Sequence, residues 1–500
     1  MLPTTKIDNL KELFKGKGFN PIIGTIFRQQ EKWKTWYRGS VNEFHFYNAR
    51  TPHGNIIQRR RKSLNMAKKI CEDWAGLIFN ENTSLIVEED KAQKVIEDVL
   101  ERTAFVYQMS DFIEKTFMTG TGVIVPYIDK GEVEIDFLTE NIVPLSSRGT
   151  VIDELATIQE FKGEKNYTHV TYHTYRDGIY RVEHELYEHR ERRYLGNRAP
   201  LQNIFSEAEL SRMNTDGNER YWFEYKTPTP FFFVFKPAVS NNFDTNSPMG
   251  ISIFANSIDV LAGIDQEFDG MVNETELSRK RLLVGPEAMK TSKITEQSEN
   301  DVAVRYVRGM NNEDTLFEFM NMPEDMPFKD FTPEYRVDPY IQGLKFKLSM
   351  LAAKSGLGNH YYQFDMEGGV TATQVISVKS DTWKNREKHV KRLRETLKGL
   401  MYAILSLQKS TNGYTGNPDA LEYRVEFDDS IIVDDDARIK QMTELANQGY
   451  LPKWRVVSEY LNIGEDKAKE IVQEAKADDD IAALIGMGDR DDDTESQEDN

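Results

Sequence analysis

Two glycines in Gly120-Thr121-Gly122 have the spacing found in loops that bind phosphate groups. Such loops bind phosphate because a helix follows the glycines and presents its N-terminal amides to the anion. Here the residues that follow, Val123, Ile124 and Val125, predict a strand instead, and the sequence contains no G-x-x-x-x-G-K-[ST] motif. The pattern argues against a nucleotide site, and we predict that the protein uses no cofactor.

A second group, His184 and His189 with Glu185 between them, superficially resembles the zinc-binding helix of metalloproteases. The two histidines are five residues apart instead of four, and the surrounding residues alternate as in a strand. Side chains an odd number of residues apart on a strand point to opposite faces, so these imidazoles would not reach one metal ion. The sequence favours a solvated hairpin here and predicts no metal site.

Two acidic clusters, Asp428-Asp429 and Asp434-Asp435-Asp436, have the chemistry needed to hold magnesium for phosphoryl transfer. They lack the glycine and the spacing of a calcium-binding loop. They also lie where carboxylates stabilise the N-terminus of a predicted helix through its dipole. We therefore predict helix capping and no catalytic residue.

The most informative segment runs from residue 338 to residue 408. It begins with an amphipathic helix, which is ended by the glycines of Gly356-Leu357-Gly358. A second, long helix is predicted over residues 371–409. The apolar residues of the first helix recur at spacings of three and four: Ile341, Leu344, Leu348 and Leu351.

A polar and aromatic loop joins these helices, and the long helix carries a local excess of positive charge. Residues 379–398 contain eight Lys or Arg and three Asp or Glu. A loop backed by a few positive charges suits a polyanion that must not be bound tightly, since each neutralised phosphate adds affinity. The loop residues are Asn359, His360, Tyr361, Tyr362 and Gln363. The basic residues expected beside them are Lys379, Lys384, Arg386 and Lys388.

A second basic group is Arg59-Arg60-Arg61-Lys62. We interpret it as a solvated helix face or as a source of ion pairs between subunits, in preference to a contact with DNA phosphates.

The composition restricts the class of protein. A chain of 500 residues exceeds what one compact core usually supports, so several structural modules are expected. The net charge of −19 argues against non-specific coating of nucleic acid or anionic membrane. Cys71 is the only cysteine, which excludes an intramolecular disulfide and a multi-cysteine metal site. The apolar runs are too short for a membrane span and the N-terminus has no signal-peptide pattern, so we expect a soluble, cytosolic product.

Periodicity divides the chain into parts. Residues 1–235 mix helical patterns with two hairpins, which turn at Asp129-Lys130-Gly131 and at Asp177-Gly178, so an α+β fold is expected there. A long helix is expected after Ser247-Pro248-Met249-Gly250, extending to about Leu282. Residues 285–336 contain four prolines and short strand-like pieces. Two helices that bracket such an insertion indicate an antiparallel pair with a small subdomain at its tip.

Several motifs, in their order along the chain, resemble those of the bacteriophage portal proteins of the SPP1-like (Gp6-like) family. The resemblance covers residues from about 30 to 476. The family usually shows Thr-Ala-Thr-Glu at the start of the long helix, where this chain has Gln374 in the last position. The motifs are residues 247–254, the following helix with Leu261 and Asp265, Arg279-Lys280-Arg281, residues 369–375 and residues 427–431.

The resemblance implies a multi-part α+β portal fold. Its expected parts are a wing with an N-terminal arm (1–246), a first stem helix (247–284), a clip (285–336), a second stem helix (337–355), a tunnel loop (356–370), a long channel-side helix (371–409), a crown (410–477) and an acidic disordered tail (478–500).

The resemblance also implies a function. Portal proteins form a ring, usually of twelve subunits, at one capsid vertex, and this ring is the conduit for DNA during packaging and ejection. The family has no catalytic site, and the loop and basic residues given above would lie along the channel. The protein would be assembled in the bacterial cytoplasm and reside in the virion. The implied partners are other copies of the chain, double-stranded DNA, the terminase large subunit, the head–tail adaptor, and the major capsid and scaffolding proteins, with no membrane.

Two other classes of protein stay open. A metal-dependent nucleic-acid enzyme would use Asp434 and Asp436, and its cleavage would be lost when both are changed to alanine. A capsid or scaffold component that is not a portal would be distributed over the whole shell instead of one vertex.

Overall fold

The computed structural model describes residues 4–21, 25–50, 55–162, 165–216, 220–278, 282–284, 290–298, 301–309, 317–319, 328–330, 334–362, 372–427, 442–461, 464–465 and 467–475. Much of the predicted clip, the second part of the predicted tunnel loop and the acidic tail lie outside these residues. The chain divides into two compact units, residues 1–427 and residues 428–500. Helices and mainly antiparallel strands are mixed in the first unit, which confirms the predicted α+β class.

The helices of the first unit are α1 (Thr4–Gly16), α2 (Thr25–Tyr37), α3 (Asn42–His45), α4 (Met66–Ile78), α5 (Asp90–Arg102), α6 (Phe105–Thr119), α7 (Glu207–Leu210), α8 (Ile258–Leu277), α9 (Asp338–Lys354) and α10 (Ala372–Ser410). The strands are β1 (Phe46–Arg50), β2 (Ile56–Arg60), β3 (Ser84–Val87), β4 (Gly122–Asp129), β5 (Glu132–Leu138), β6 (Ile142–Arg148), β7 (Val151–Lys162), β8 (Asn166–Arg176), β9 (Ile179–His189), β10 (Asn197–Ala199), β11 (Asn214–Thr215), β12 (Tyr221–Lys226), β13 (Phe233–Phe235), β14 (Leu282–Val284), β15 (Lys290–Ser298), β16 (Asp301–Gly309), β17 (Phe317–Phe319), β18 (Phe328–Asp330) and β19 (Tyr423–Glu426).

The largest sheet has the strand order β11-β12-β9-β8-β7-β6, with β10 also paired to β9. Helix α1 covers one of its faces. The ring of Phe14 meets that of Tyr172 edge-on at 5.7 Å, and Lys17 Nζ lies 2.9 Å from Glu185 Oε1. Because side chains alternate along a strand, the other face of this sheet carries a different set of residues.

Both predicted hairpins are confirmed. Lys130 and Gly131 connect β4 to β5, and Asp177 and Gly178 connect β8 to β9, all four with positive φ. Two consecutive residues with positive φ form a turn whose twist matches that of the flanking strands. The turn residues therefore set the register of both strand pairs.

Helices α8 and α9 are antiparallel neighbours, as predicted. Lys347 Nζ lies 2.5 Å from a carboxylate oxygen of Glu267, and Arg336 Nε, just before α9, lies 3.4 Å from one of Glu274. The numbering thus rises along one helix as it falls along the other. The prediction that α8 extends to about Leu282 is wrong, because residues 282–284 form β14, which pairs with β17 and β18. With 20 residues, α8 is about 30 Å long.

The glycine pair that resembles a phosphate loop has a packing role. Gly120 ends α6 with a φ of +86°, and a Cβ at this position would lie 2.5 Å from the backbone of Ile251. A Cβ at Gly250 would in turn overlap the carbonyl oxygen of Gly120. The amide of Gly250 also donates to the hydroxyl of Thr121 at 2.9 Å. The segment that leads into α8 therefore lies directly on the end of α6, where only glycine fits.

The first unit extends beyond the end of α10. Strand β19 pairs with β3, with Tyr423 opposite Val87. Residues 410–427, which the sequence assigns to the crown, thus belong to the first unit. The second unit contains α11 (Lys453–Leu461) and helical segments at 442–447 and 467–475. Among the residues described above, no helix combines the length and the apolar character needed to cross a bilayer.

The contact between Gly120 and Gly250 leads to a stability prediction. Gly250→Ala is expected to lower the free energy of unfolding by about 1–3 kcal/mol, because the added methyl forces two backbones apart. Gly76→Ala is the matched control, since a Cβ at this exposed position of α4 meets nothing within 4 Å. The control should be neutral or stabilising by up to about 1 kcal/mol. Urea denaturation followed by circular dichroism measures both, and equal stability of the two variants would contradict the packing role.

Candidate functional site

The chain leaves α9 at a glycine, and a tryptophan fixes its direction. Gly356 has a φ of +84°, a left-handed conformation that ends the helix, as the sequence predicts. Trp74, fully buried in α4, donates from its indole Nε1 to the carbonyl oxygen of Ser355 at 3.0 Å. A buried indole N–H needs an acceptor, and this one satisfies a carbonyl at the end of a helix.

Residues 355–358, which we call the loop base, are also held by α10. The side-chain amide of Asn385 donates to the carbonyl oxygen of Gly356 at 2.9 Å. The amide of Gly358 donates to the hydroxyl of Thr382 at 3.0 Å. Helices α4 and α10 thus fix the loop base from two sides.

Residues 359–361, which we call the loop tip, are exposed. They include three of the predicted loop residues: Asn359, His360 and Tyr361. Burial, followed by the nearby carboxylate of Asp73, raises the pKa of Tyr361 to about 12, so its phenol stays uncharged at physiological pH. The loop tip therefore presents polar groups without an acidic side chain.

Tyr362 is an anchor and not part of the exposed tip. Only 6% of it is exposed, and its hydroxyl donates to Asp73 Oδ2 in α4 at 2.8 Å. Its sequence neighbour Gln363, the last of the predicted loop residues, lies outside the described residues.

The predicted basic residues of α10 divide into exposed and buried ones. Lys384 and Lys388 are exposed, with 65% of the Lys384 side chain accessible. Arg386 is 1% exposed, and its Nε donates to the carbonyl oxygen of Leu77 in α4 at 2.6 Å. The prediction that Arg386 lies beside the loop as an accessible charge is therefore wrong, because it fastens α10 to α4. The side chain of Lys379 lies outside the described part of the chain.

His389, one turn after Asn385, also packs α10 against the core. Its Nδ1 accepts a hydrogen bond from the amide of Ala238 at 2.9 Å, and its ring centroid lies 4.7 Å from that of Trp74. Desolvation, with smaller effects of Arg392 and Lys388, lowers the pKa of His389 to about 3. The imidazole is therefore neutral, as its acceptor role requires.

The sequence contains a pattern that indicates these contacts of α10. Thr382, Asn385 and His389 are three and four residues apart, which places them on one face of α10. A polar stripe at this spacing indicates a helix face that packs against polar groups. The excess of Lys and Arg in residues 379–398 indicates the solvent-accessible side of α10 instead. No local pattern indicated that Trp74 reaches the end of α9.

A separate cavity of about 1040 Å³ lies between the β4–β5 hairpin and the face of the large sheet opposite α1. Three of its lining residues are His169, His173 and His184, and His169 Nε2 lies 3.1 Å from His184 Nδ1. Desolvation lowers the pKa of His169 to about 4 and that of His173 to about 3. The predicted solvated hairpin is therefore wrong, because β8 and β9 lie inside the sheet, His189 is buried, and His184 is half-buried and lines the cavity.

The predicted opposite orientation of His184 and His189 is confirmed. His184 lines the cavity, whereas His189 Nε2 lies 3.3 Å from Lys6 Nζ of α1, on the other face. In the part of the chain that the structure describes, no three His, Cys, Asp or Glu side chains are grouped to hold a metal ion. The acidic clusters at 428–429 and 434–436 lie outside that part.

The buried histidines lead to a prediction about acid stability. The folded protein keeps His389 neutral down to about pH 3, whereas the unfolded chain protonates it near pH 6.5. The unfolded state therefore binds more protons between these values, and stability falls as the pH falls through this window. His389→Gln should flatten the dependence of unfolding free energy on pH by up to about 1.4 kcal/mol per pH unit between about pH 4 and pH 6.

Urea denaturation at a series of pH values measures this slope. Leu393→Ala is the control, because it removes a buried apolar side chain of α10 that does not titrate. It should lower stability at every pH and leave the slope unchanged. An unchanged slope in His389→Gln would show that this imidazole does not contribute to acid sensitivity.

The chain matches one protein family over most of its length. The profile of the family described as "Phage portal protein, SPP1 Gp6-like" matches residues 8–481. Among solved structures, the chain is similar to a chain of the "Virion of native gene transfer agent (GTA) particle", with 13% sequence identity and a TM-score of 0.41, over 90% of this chain and 97% of that one. No curated protein sequence matches it significantly. Because the family profile spans nearly the whole sequence and confirms the resemblance seen in its motifs, the chain belongs to the SPP1 Gp6-like family of phage portal proteins.

Proposed function

We propose that this portal protein forms a ring at one capsid vertex, with twelve subunits as the expected number, and that double-stranded DNA passes through it during packaging and ejection. Membership of a structural family supports this role. The observation that carries the conduit role is the contrast between the loop base and the loop tip. The base is fixed by the buried side chains of Trp74 in α4 and Thr382 in α10, while the tip is exposed.

A conduit must guide DNA without holding it. Every neutralised phosphate strengthens binding, and a ring repeats each contact in every subunit. The loop tip suits this requirement because Asn359 and Tyr361 offer neutral polar groups. A small positive contribution would come from the exposed Lys384 and Lys388, within a chain whose net charge is −19. The proposed contacts are therefore numerous, weak and sensitive to salt.

The proposed partners follow from the order of the parts. The antiparallel pair of α8 and α9 brackets residues 285–336, the predicted clip, which we propose binds the terminase large subunit and later the head–tail adaptor. The motor would be a separate protein, since this sequence has no nucleotide-binding loop motif. Major capsid and scaffolding proteins would contact the ring at the vertex, after assembly in the bacterial cytoplasm.

Electron microscopy of the purified chain tests the ring directly. Closed rings with a central hole are expected, and cryo-electron microscopy of virions should place them at one vertex. A compact monomer under all conditions, or a distribution over the whole shell, would overturn the proposal.

A change confined to the loop tip tests the conduit. The triple variant Asn359→Ala, His360→Ala and Tyr361→Ala leaves the buried anchors intact, so rings should still form. Removing the guiding contacts from every subunit at once should reduce the yield of genome-filled particles by about tenfold. The measurement is the amount of nuclease-protected DNA per capsid in infected cells.

The matched control is Tyr107→Ala, which removes an 80% exposed tyrosine at the start of α6. It should package DNA normally. Normal DNA packaging by the loop-tip variant would show that the loop tip does not guide DNA. Loss of rings in that variant would show that the tip is structural.

A further inference from the structure

The hairpin formed by β1 and β2 is highly exposed to solvent. In the described part of the chain, the two strands pair only with each other. Every residue of β2 is exposed, including 64% of Ile56 and 39% of Ile57. An isolated two-stranded hairpin is marginally stable in water, and its free edges can pair with another chain. Such an element normally gains its stability from a surface that covers it.

The base of this hairpin is nevertheless rigid. Asp265 of α8, 4% exposed, accepts hydrogen bonds from the hydroxyl of Ser63 and the amide of Leu64, both at 2.8 Å. The same carboxylate lies 3.0 Å from Nε2 of the buried His45, just before β1. Both ends of the hairpin are therefore fixed to one buried carboxylate, which sets the direction in which the hairpin projects.

The hairpin and α9 lie on opposite sides of α8. The hairpin side is marked by Asp265 and by Asp269, which accepts the amide of Lys62 at 3.0 Å. Glu267, which pairs with Lys347 of α9, is two residues from each of them. At 3.6 residues per turn this is a rotation of about 200° around the helix axis. The hairpin thus projects from the side of α8 that α9 leaves open.

The exposed hairpin combines apolar and basic side chains. Opposite Ile57 and Ile56 in the register stand Ala49 and Arg50, and Arg59 is two residues further along β2. Within the described residues, neither Arg50 nor Arg59 forms an ion pair with a carboxylate, although the whole chain carries 82 acidic and 63 basic residues. Arginine is enriched in protein–protein interfaces, and the buried centre of such an interface is apolar, so this combination suits a protein–protein contact.

We propose that the β1–β2 hairpin docks on the neighbouring copy of this chain in the ring, with Ile56 and Ile57 buried and Arg50 and Arg59 paired to carboxylates of that copy. This inference rests on the proposed ring. A closed ring needs a heterologous contact, in which one surface of each subunit meets a different surface of the next. A projection whose base is fixed to α8, on the side away from α9, provides one of these two surfaces.

A second copy fits the hairpin better than DNA does. Phosphates would pair with the arginines but would leave Ile56 and Ile57 in water, whereas a protein surface covers both kinds of side chain. An acidic neighbour also supplies the carboxylates that Arg50 and Arg59 lack. Burial by the neighbour therefore accounts for all four side chains at once.

The test measures how fast a thiol on the hairpin reacts with a maleimide dye in the full-length chain. The variant is Ile57→Cys. The lone native Cys71 gives little background, because it is buried and burial raises the pKa of its thiol well above the usual range. Val151→Cys and Ile179→Cys are the controls, since both positions are exposed but lie in the large sheet. Each variant is labelled as rings and as dissociated subunits, with folding verified by thermal melting.

Labelling of Ile57→Cys is expected to be at least about tenfold slower in rings than in dissociated subunits, because the side chain becomes buried. The controls should change by less than about twofold. A folded Ile57→Cys that no longer forms rings would also support the docking. Equal labelling in rings and subunits, or protection that arises only when DNA is added, would overturn it.

A second variant separates this inference from the ring itself. Arg59→Glu should raise the subunit concentration needed for half-assembly by about tenfold, since it places like charges in contact. If the wild type forms rings and Arg59→Glu assembles equally well, the docking is wrong and the ring stands. If the wild type forms no rings, both are wrong.

Discussion

The hydrogen bond from the Trp74 indole to the carbonyl of Ser355 is the interaction on which the arrangement of the loop depends. The tryptophan ring is also held by packing against Phe117 and His389, whose ring centroids lie 6.2 Å and 4.7 Å from its own. Neighbouring groups of α4 act on the same region. Asp73 holds Tyr362, and a backbone carbonyl of the helix holds an arginine of α10. One helix, α4, therefore fixes the end of α9, the segment that follows it and the helix after the loop.

A second constraint joins α8 to the same helix. The carboxylate of Asp265 accepts hydrogen bonds from Ser63 and Leu64, which lie just before the N-cap residue of α4. The Gly120–Gly250 contact meanwhile presses the segment before α8 onto the end of α6. Because α8, α9 and the loop base are all positioned by contacts with α4 and α6, each subunit of a ring would present its loop tip at the same height and radius. Equal placement is what the proposed symmetric opening around DNA requires.

The sequence predicted these helices better than the contacts between them. It placed α9 at 337–355 and α10 at 371–409, within one residue of the observed ends, because helical periodicity and terminal glycines are local signals. The partner of Arg386 is a carbonyl 309 positions away in the chain, and the hydroxyl that Gly250 binds is 129 positions away. Neither contact can be recognised from the residues that surround it in the sequence. The number of charged residues in a segment does not show which side of α10 packs against the rest of the protein. Likewise, the alternating pattern of β8 and β9 does not show that other elements cover both faces of their sheet.

The length of α10 has a mechanical consequence. Its 39 residues correspond to about 58 Å, and beyond Thr382 much of one side is embedded among buried residues. Such a helix is a cantilever, a beam clamped along most of its length with its N-terminal end next to the loop. If DNA passes the loop as we propose, a transverse load from a groove or ridge of the double helix would bend this end of the helix. The clamped part of the helix would keep its contacts while the end beside the loop bends and returns.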